Sequence, residues 1–188
     1  MKNLIETYKI KLTNVLKTPS FSKDVNNLYL EILDVWKNNK NIYICGNGGS
    51  AGNATHIAND FIYGAGIKNK KGLRIESLSA NSAVITCLAN DLGYEYIYSE
   101  QIKVKANKND LLIVLSGSGN SKNVVNALKV ANKLKMKTMA IVGFKGGKCL
   151  KMAKKTVHFK INDMQICEDL QLVVMHMCMQ KLSKIKLK

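Results

Sequence analysis

Proline and arginine are almost missing from this 188-residue chain, which holds one of each, Pro19 and Arg74. One proline excludes collagen-like repeats and proline-rich recognition segments, and no Gly/Ser-rich or low-complexity tract offers a flexible linker. One arginine weighs against a nucleic-acid surface, because base readout and bidentate phosphate clamping favour guanidinium groups. That absence matters here, since the formal net charge is +16. The excess is lysine, spread along the chain, and reads as solvated surface that steers anionic substrates. Nucleic acid is not an expected partner.

Long apolar runs are also lacking. The opening MKNLIETYKIKLTN is interleaved with charge, so neither a secretory signal nor a membrane span is expected, and the protein is expected in the cytoplasm with no membrane partner. Cysteine pairs are missing too. Five cysteines, Cys45, Cys87, Cys149, Cys167 and Cys178, lie scattered without a CxxC, most of them inside apolar runs. Such spacing excludes a disulfide framework and predicts reduced, mostly buried thiols.

What is present is a chain 46% hydrophobic, enough for one substantial core. The pattern predicts one domain over 1–188, with N-terminal helices in 1–38 and an α/β core plus closing helix in 40–188. Helical spacing at 1–17 and 22–38 is interrupted by Pro19. Short β-rich runs follow at 42–45, 74–79, 111–116, 138–143 and 156–161. Helical patterns fill 50–62, 81–90, 95–105 and 121–134, and a last helix runs over 164–186. Strands alternating with helices predict a parallel sheet covered on both faces, with ligands beyond the carboxyl ends of the strands.

Two of those ends carry unusual chemistry. GNGGS, Gly46 to Ser50, follows the first strand, and SGSGNS, Ser116 to Ser121, follows the third. Each sets small residues and hydroxyls where backbone N–H groups and a positive helix end attract an anion. GNGGSAG lacks the GxGxxG spacing and no P-loop lysine follows SGSGNS, so a sugar phosphate fits better than a nucleotide. His56 and Asp60 share one face of the helix opened by Ser50, a spacing that serves a structural hydrogen bond or a metal. Glu168 and His176 stand two turns apart on the closing helix. If the helices meet, two imidazoles and two carboxylates make a plausible divalent-metal set. The AND at Ala89 to Asp91 reads either as a helix end and turn or as a contact to sugar hydroxyls.

Together GNGGSAGNATHIAND, LANDLGYEYIYSEQ, LSGSGNSKNVVNAL and GGKCLKMA resemble the sugar isomerase (SIS) domain family, and within it the phosphoheptose (sedoheptulose 7-phosphate) isomerases, over nearly the whole chain. The resemblance implies a three-layer αβα sandwich, flavodoxin-like, with a five-stranded parallel sheet and an N-terminal helical hairpin. It also implies a homotetramer with interfacial sites, and ketose–aldose isomerisation towards the heptose of surface polysaccharides. Ser50, Ser116, Ser118 and Ser121 would hold the phosphate, with Gly117 in the same turn. Asn47, Gly48, Gly49, Asn90 and Asp91 would line the sugar site. His56, Asp60, Glu168 and His176 correspond to the family's zinc (Zn2+) site, whose first carboxylate is also the base and whose final histidine is the acid.

Two of those four positions depart from the family: Asp60 stands for a glutamate and Glu168 for a glutamine, while Gln171 replaces a histidine. Asp60 is one methylene shorter, and Glu168 adds a charge that would tighten a divalent cation and serve as a second candidate base or substrate contact. The departures keep open an isomerase of a different sugar phosphate. They also keep open a non-catalytic binding or regulatory protein of the replication-initiator-binding type.

Overall fold

A computed structural model describes residues 1–187, with the side chains of 67–69 left out of account. Helices α1 (Lys2–Leu16) and α2 (Phe21–Lys37) come first, separated at Pro19 where the chain cannot continue a helical hydrogen-bond ladder. Strands β1 (Asn41–Cys45), β2 (Arg74–Ser77), β3 (Leu111–Ser116), β4 (Lys137–Val142) and β5 (Lys155–His158) form one sheet. Its order is β2-β1-β3-β4-β5, parallel throughout. Between and after the strands lie α3 (Gly49–Tyr63), α4 (Ser82–Asp91), α5 (Ser99–Lys105), α6 (Lys122–Lys133), α7 (Gly147–Met152) and α8 (Met164–Leu182).

The period-two alternation of the strands divides the core into two layers. Ile42, Ile44, Leu111, Ile113 and Leu115 point to the face covered by α2, α3 and α8. Tyr43, Cys45, Leu112 and Val114 point to the other face, beneath α5, α6 and α7. β3 is buried along its whole length, which is why its sequence is continuously apolar rather than alternating. On α2, Leu28, Ile32, Val35 and Trp36 recur at helical spacing and carry the buried stripe. The fold is thus the expected αβα sandwich with a five-stranded parallel sheet.

Three details differ from the sequence pattern. The stretch 95–105 is two elements: Gly93, at φ +107°, turns the chain into a short 3-10 helix over Tyr94–Tyr96, and α5 starts only at Ser99. β2 and β5 end earlier than their apolar runs, at Ser77 and His158. Six-residue α7 is too short to produce a readable period, and enters through Gly146 and Gly147, both at positive φ.

Candidate active site

Strand order reverses between β1 and β3, and the two glycine–serine turns leave from those neighbouring strands. They flank the crevice where an open α/β sheet binds its ligand. Gly48, at φ +56°, precedes α3 as its N-cap, and Ser121 does the same for α6, its hydroxyl unused by the cap. In the second turn, Ser116 Oγ accepts from Gly119 N–H at 3.0 Å and Ser118 Oγ accepts from Asn120 N–H at 3.3 Å. Both hydroxyl protons stay available. Gly117 lies beneath Met164, whose sulfur would be 2.3 Å from a Cβ there.

Asn47 joins the turns. Its Nδ2 donates to Asn123 Oδ1 at 2.9 Å, and Asn123 Nδ2 donates back to Asn47 Oδ1 at 2.8 Å. The hydroxyls of Tyr94 and Tyr98 reach the same Oδ1 at 3.1 and 3.2 Å, and Tyr98 also donates to the Gly46 carbonyl. Burial holds the Tyr98 phenol far above its ordinary range, so it stays a donor. With its oxygen saturated, Asn47 keeps one Nδ2 proton for a ligand.

The helices whose meeting the sequence could not decide do meet. Gln171, itself buried, donates from Nε2 to Ser50 Oγ at 3.0 Å. Asn53 Nδ2 donates to Gln171 Oε1 and to the Glu168 carbonyl. Farther along, His56 and Asp60 of α3 face His176 of α8. Residue numbers rise together along this seam, so α3 and α8 run parallel.

The three side chains form one group. His56 Nε2 lies 3.1 Å from His176 Nε2, and Asp60 Oδ2 lies 3.5 Å from the first and 3.3 Å from the second. Among the described residues they are the one set of three or more ligating side chains whose donor atoms all lie within 4.8 Å of one another. Donors bound to zinc at 2.0–2.1 Å in a tetrahedron stand about 3.3 Å apart, so the spacing fits a small divalent cation.

Glu168 is not in that group. Eight residues before His176 it lies about 12 Å back along α8, its carboxylate packed over Gly49, where a Cβ would fall 2.3 Å from Oε2. A side chain at position 49 would displace that carboxylate. Asn90 and Asp91 form the exposed last turn of α4 and bond to each other at 2.8 Å, with Cys87 Sγ on Asp91. The segment after them reaches the site through Tyr94 and Tyr98.

The thiols play no part in this geometry. Cys45, Cys149, Cys167 and Cys178 are buried and Cys87 is exposed, and burial pushes Cys149 up to about 11 and Cys178 up to about 12.

Residues 7–143 match the SIS domain family. A phosphoheptose isomerase of Helicobacter pylori (strain P12) is 37% identical over 145 residues, 77% of this chain and 75% of that protein. A phosphoheptose isomerase of Helicobacter hepaticus is 32% identical over 94% of this chain and 90% of its own length. The chain belongs to the SIS-domain phosphoheptose isomerases. A solved phosphoheptose isomerase from Francisella tularensis, 20% identical, superposes with a TM-score of 0.91 over 98% of this chain and 96% of that one, a likeness of fold.

Set within this family, the residues that sequence reasoning missed are those that hold others: Asn123, Tyr94, Tyr98, Asn53 and Gln171. Asn123 and Gln171 sit in ordinary helical patterns and give no local sign of a polar task. Both are among the few buried polar residues, and burial is what the sequence does not print.

Proposed function

We propose that this phosphoheptose isomerase interconverts sedoheptulose 7-phosphate and D-glycero-D-manno-heptose 7-phosphate through an enediol, in the cytoplasm, on the route to surface-polysaccharide heptose. The observation that carries the reading is the convergence of His56, Asp60 and His176 across the α3–α8 seam of a fold that bears two anion-binding turns at its switch point. A carboxylate and an imidazole in contact are the groups that moving one proton between neighbouring carbons requires.

Asp60 takes the proton from C1 of the ketose and returns it to C2, and His176 moves protons between the two oxygens. Glu168 is the second candidate for the base. Ser50, Ser116, Gly117, Ser118 and Ser121 anchor the phosphate, and Asn47, Gly48, Gly49, Asn90 and Asp91 meet the sugar. These contacts orient the substrate rather than perform chemistry. The spacing of the three donors suits Zn2+, held by His56, Asp60 and His176 with Glu168 as a fourth ligand. Such an ion would polarise the carbonyl and stabilise the enediolate oxygens.

Geometry also supports a homotetramer with shared sites. Asp60 lies about 15 Å along α3 from Ser50, on the helical rise of about 1.5 Å per residue. Glu168 likewise stands outside the three-residue group of its own chain. Turns and Glu168 from one subunit, and the His56–Asp60–His176 group from another, would compose a site.

Purified protein given sedoheptulose 7-phosphate should form the aldose, and Asp60→Ala and His176→Ala should each lose roughly 100-fold or more. Full activity in both variants would remove these residue roles. Failure of the parent on every ketose phosphate would remove the isomerase reading. Activity on another ketose phosphate alone would favour a changed sugar, to which the departures at Asp60 and Glu168 point.

A further inference from the structure

Beyond the switch point, towards the β5 edge, the carboxyl ends of β3, β4 and β5 border an open cavity of about 690 Å³. The volume lies within the roughly 300–1,000 Å³ of small-molecule sites. Its walls are Phe144 and Lys145 after β4, the end of β5 with His158, and Lys160, Ile161 and Asn162 beyond it. Ser118 and Asn120 of the β3 turn close the remaining side. Of the groups assigned above to the substrate, Ser118 of the phosphate turn alone takes part.

The charge of this cavity has one sign. Two ammonium groups and no carboxylate line it, and within the described residues the side chains of Lys145, Lys160 and Asn162 make no hydrogen bond or ion pair. Asp24 of α2 feels Lys160 and His158 electrostatically without pairing with either. Elsewhere lysines near carboxylates do pair, as Lys11, Lys103, Lys105, Lys137 and Lys155 show. The apolar wall is held in place. Phe144 sits at φ +48°, unusual for an aromatic residue; its N–H donates to Ile161 C=O at 3.0 Å, and its carbonyl lies 3.0 Å from His158 Nε2. Fixed donors, free ammonium groups and a ring presented by a constrained backbone are the features of a ligand site.

This cavity is built into the phosphate turn. Gly143 N–H donates to Gly117 C=O at 3.0 Å, Cys149 N–H to Gly119 C=O at 2.9 Å, and Lys148 N–H to Asn120 Oδ1 at 3.0 Å. Gly119, at φ +67°, is packed so closely that a Cβ would lie 2.0 Å from Gly146 O. The turns after β3 and β4 therefore move as one body.

We propose that the cavity is a second ligand site, for a small organic phosphate other than the substrate, with its phosphate on Lys145 and Lys160 and its body against Phe144 and Ile161. Occupancy is transmitted to the substrate-phosphate turn through the Gly117–Gly119 contacts with residues 143–149. The transmission rests on the isomerase reading; the binding does not.

Phenyl phosphate, an anion with a flat apolar body, is the probe. Calorimetric titration of the full chain should show saturable binding that weakens roughly tenfold in a Lys145→Ala/Lys160→Ala double variant. A Lys133→Ala/Lys151→Ala control, which removes the same charge from exposed positions, should bind as the parent does. No saturable binding by the parent, unchanged binding in the cavity variant, or equal weakening in both variants would overturn the site. Thermal melts establish that both variants fold, as exposed lysines allow. In the parent, phenyl phosphate should shift KM for the sugar phosphate, and in the cavity variant it should not. An equal shift in both would place the probe on the substrate turn and overturn the proposal. A chain that turns over no sugar phosphate would end the isomerase reading and leave the titrations to decide the site.

Discussion

Asn47 shows how much of a site residue's work is done by its neighbours. An asparagine side chain turns over easily, and either end can face a ligand. Here the reciprocal pair with Asn123, at 2.8 and 2.9 Å, and the hydroxyls of Tyr94 and Tyr98 fix the oxygen inward and the spare N–H outward. Asn123→Ala would leave the half-buried Asn47 amide without its reciprocal partner, a loss of about 0.5–1.5 kcal/mol. It would also free the amide to rotate. Catalytic efficiency is expected to fall roughly 10- to 100-fold, the loss that a displacement near 1 Å produces, with a larger share in KM than in kcat, as the role proposed for Asn47 is binding rather than chemistry. Steady-state kinetics beside a thermal melt checks this, and a variant that loses stability with unchanged KM would reduce Asn123 to a packing residue. Asn47 itself was legible, standing in a glycine turn after an apolar strand. Asn123 was not: in KNVVNAL an asparagine that turns inward to another amide looks the same as one that faces water.

At the scale of elements, strands and long helices were readable because their periods survive in the sequence, whereas contacts between elements were not. His56 with Asp60 was visible as one helix face; that His176 comes to the same point depends on α3 and α8 running parallel, which follows from packing. Another such contact ties α2 to the sheet. Glu31 accepts from Lys137 at 2.8 Å and from Lys155, and Lys137 also meets Asp34 at 2.6 Å. Burial alone would raise the Glu31 carboxyl, but the two ammonium groups outweigh it and hold it below its ordinary value of 4.5. Burial opposes the charge of Lys137 as well, and Asp34 with Glu31 overcome it and raise that group above 10.5. Depression of an acid gives stability that is present above 4.5 and lost as pH falls through the folded value. Elevation of a base gives stability that is present below 10.5 and lost as pH rises through its folded value. Glu31→Gln should therefore lower the melting midpoint at pH 7 by about 2–4 °C, for a loss near 1 kcal/mol in a chain of this length. The gap between parent and variant should narrow as pH falls below 4.5 and Glu31 takes up its proton. A gap that stays constant through that titration would show the loss to be one of packing rather than charge.

For the whole molecule the question is what covers the apolar groups that one chain leaves in water. α4 contains Val84, Ile85, Leu88 and Ala89, yet none of its residues is buried, and Leu92, Tyr94 and Tyr96 just beyond it are exposed. Val104 is 86% and Tyr63 75% exposed. Ile85, Leu88 and Ala89 pack in part against the core beneath α5 and α6, but Leu92, Tyr94 and Tyr96 continue from them exposed, and such a run of neighbouring exposed apolar residues suits a contact surface. The net charge of +16 acts against association of like chains. Apolar burial must overcome a repulsion that salt screens within about 10 Å at 0.1 M. Light scattering should give a four-chain mass that holds better at 0.3 M salt than at 0.02 M. Leu92→Glu, which adds a charge beside α4 without disturbing either buried cluster, should shift the mass to smaller species. The proposed sharing of the phosphate turns and the His56–Asp60–His176 group across chains requires activity to fall in step. A parent that stays at one-chain mass and is fully active would overturn the shared site. A four-chain Leu92→Glu would move the contact away from α4. Activity that survives dissociation would mean that α3, over the 15 Å or so between Ser50 and Asp60, bends enough for one chain to do both tasks.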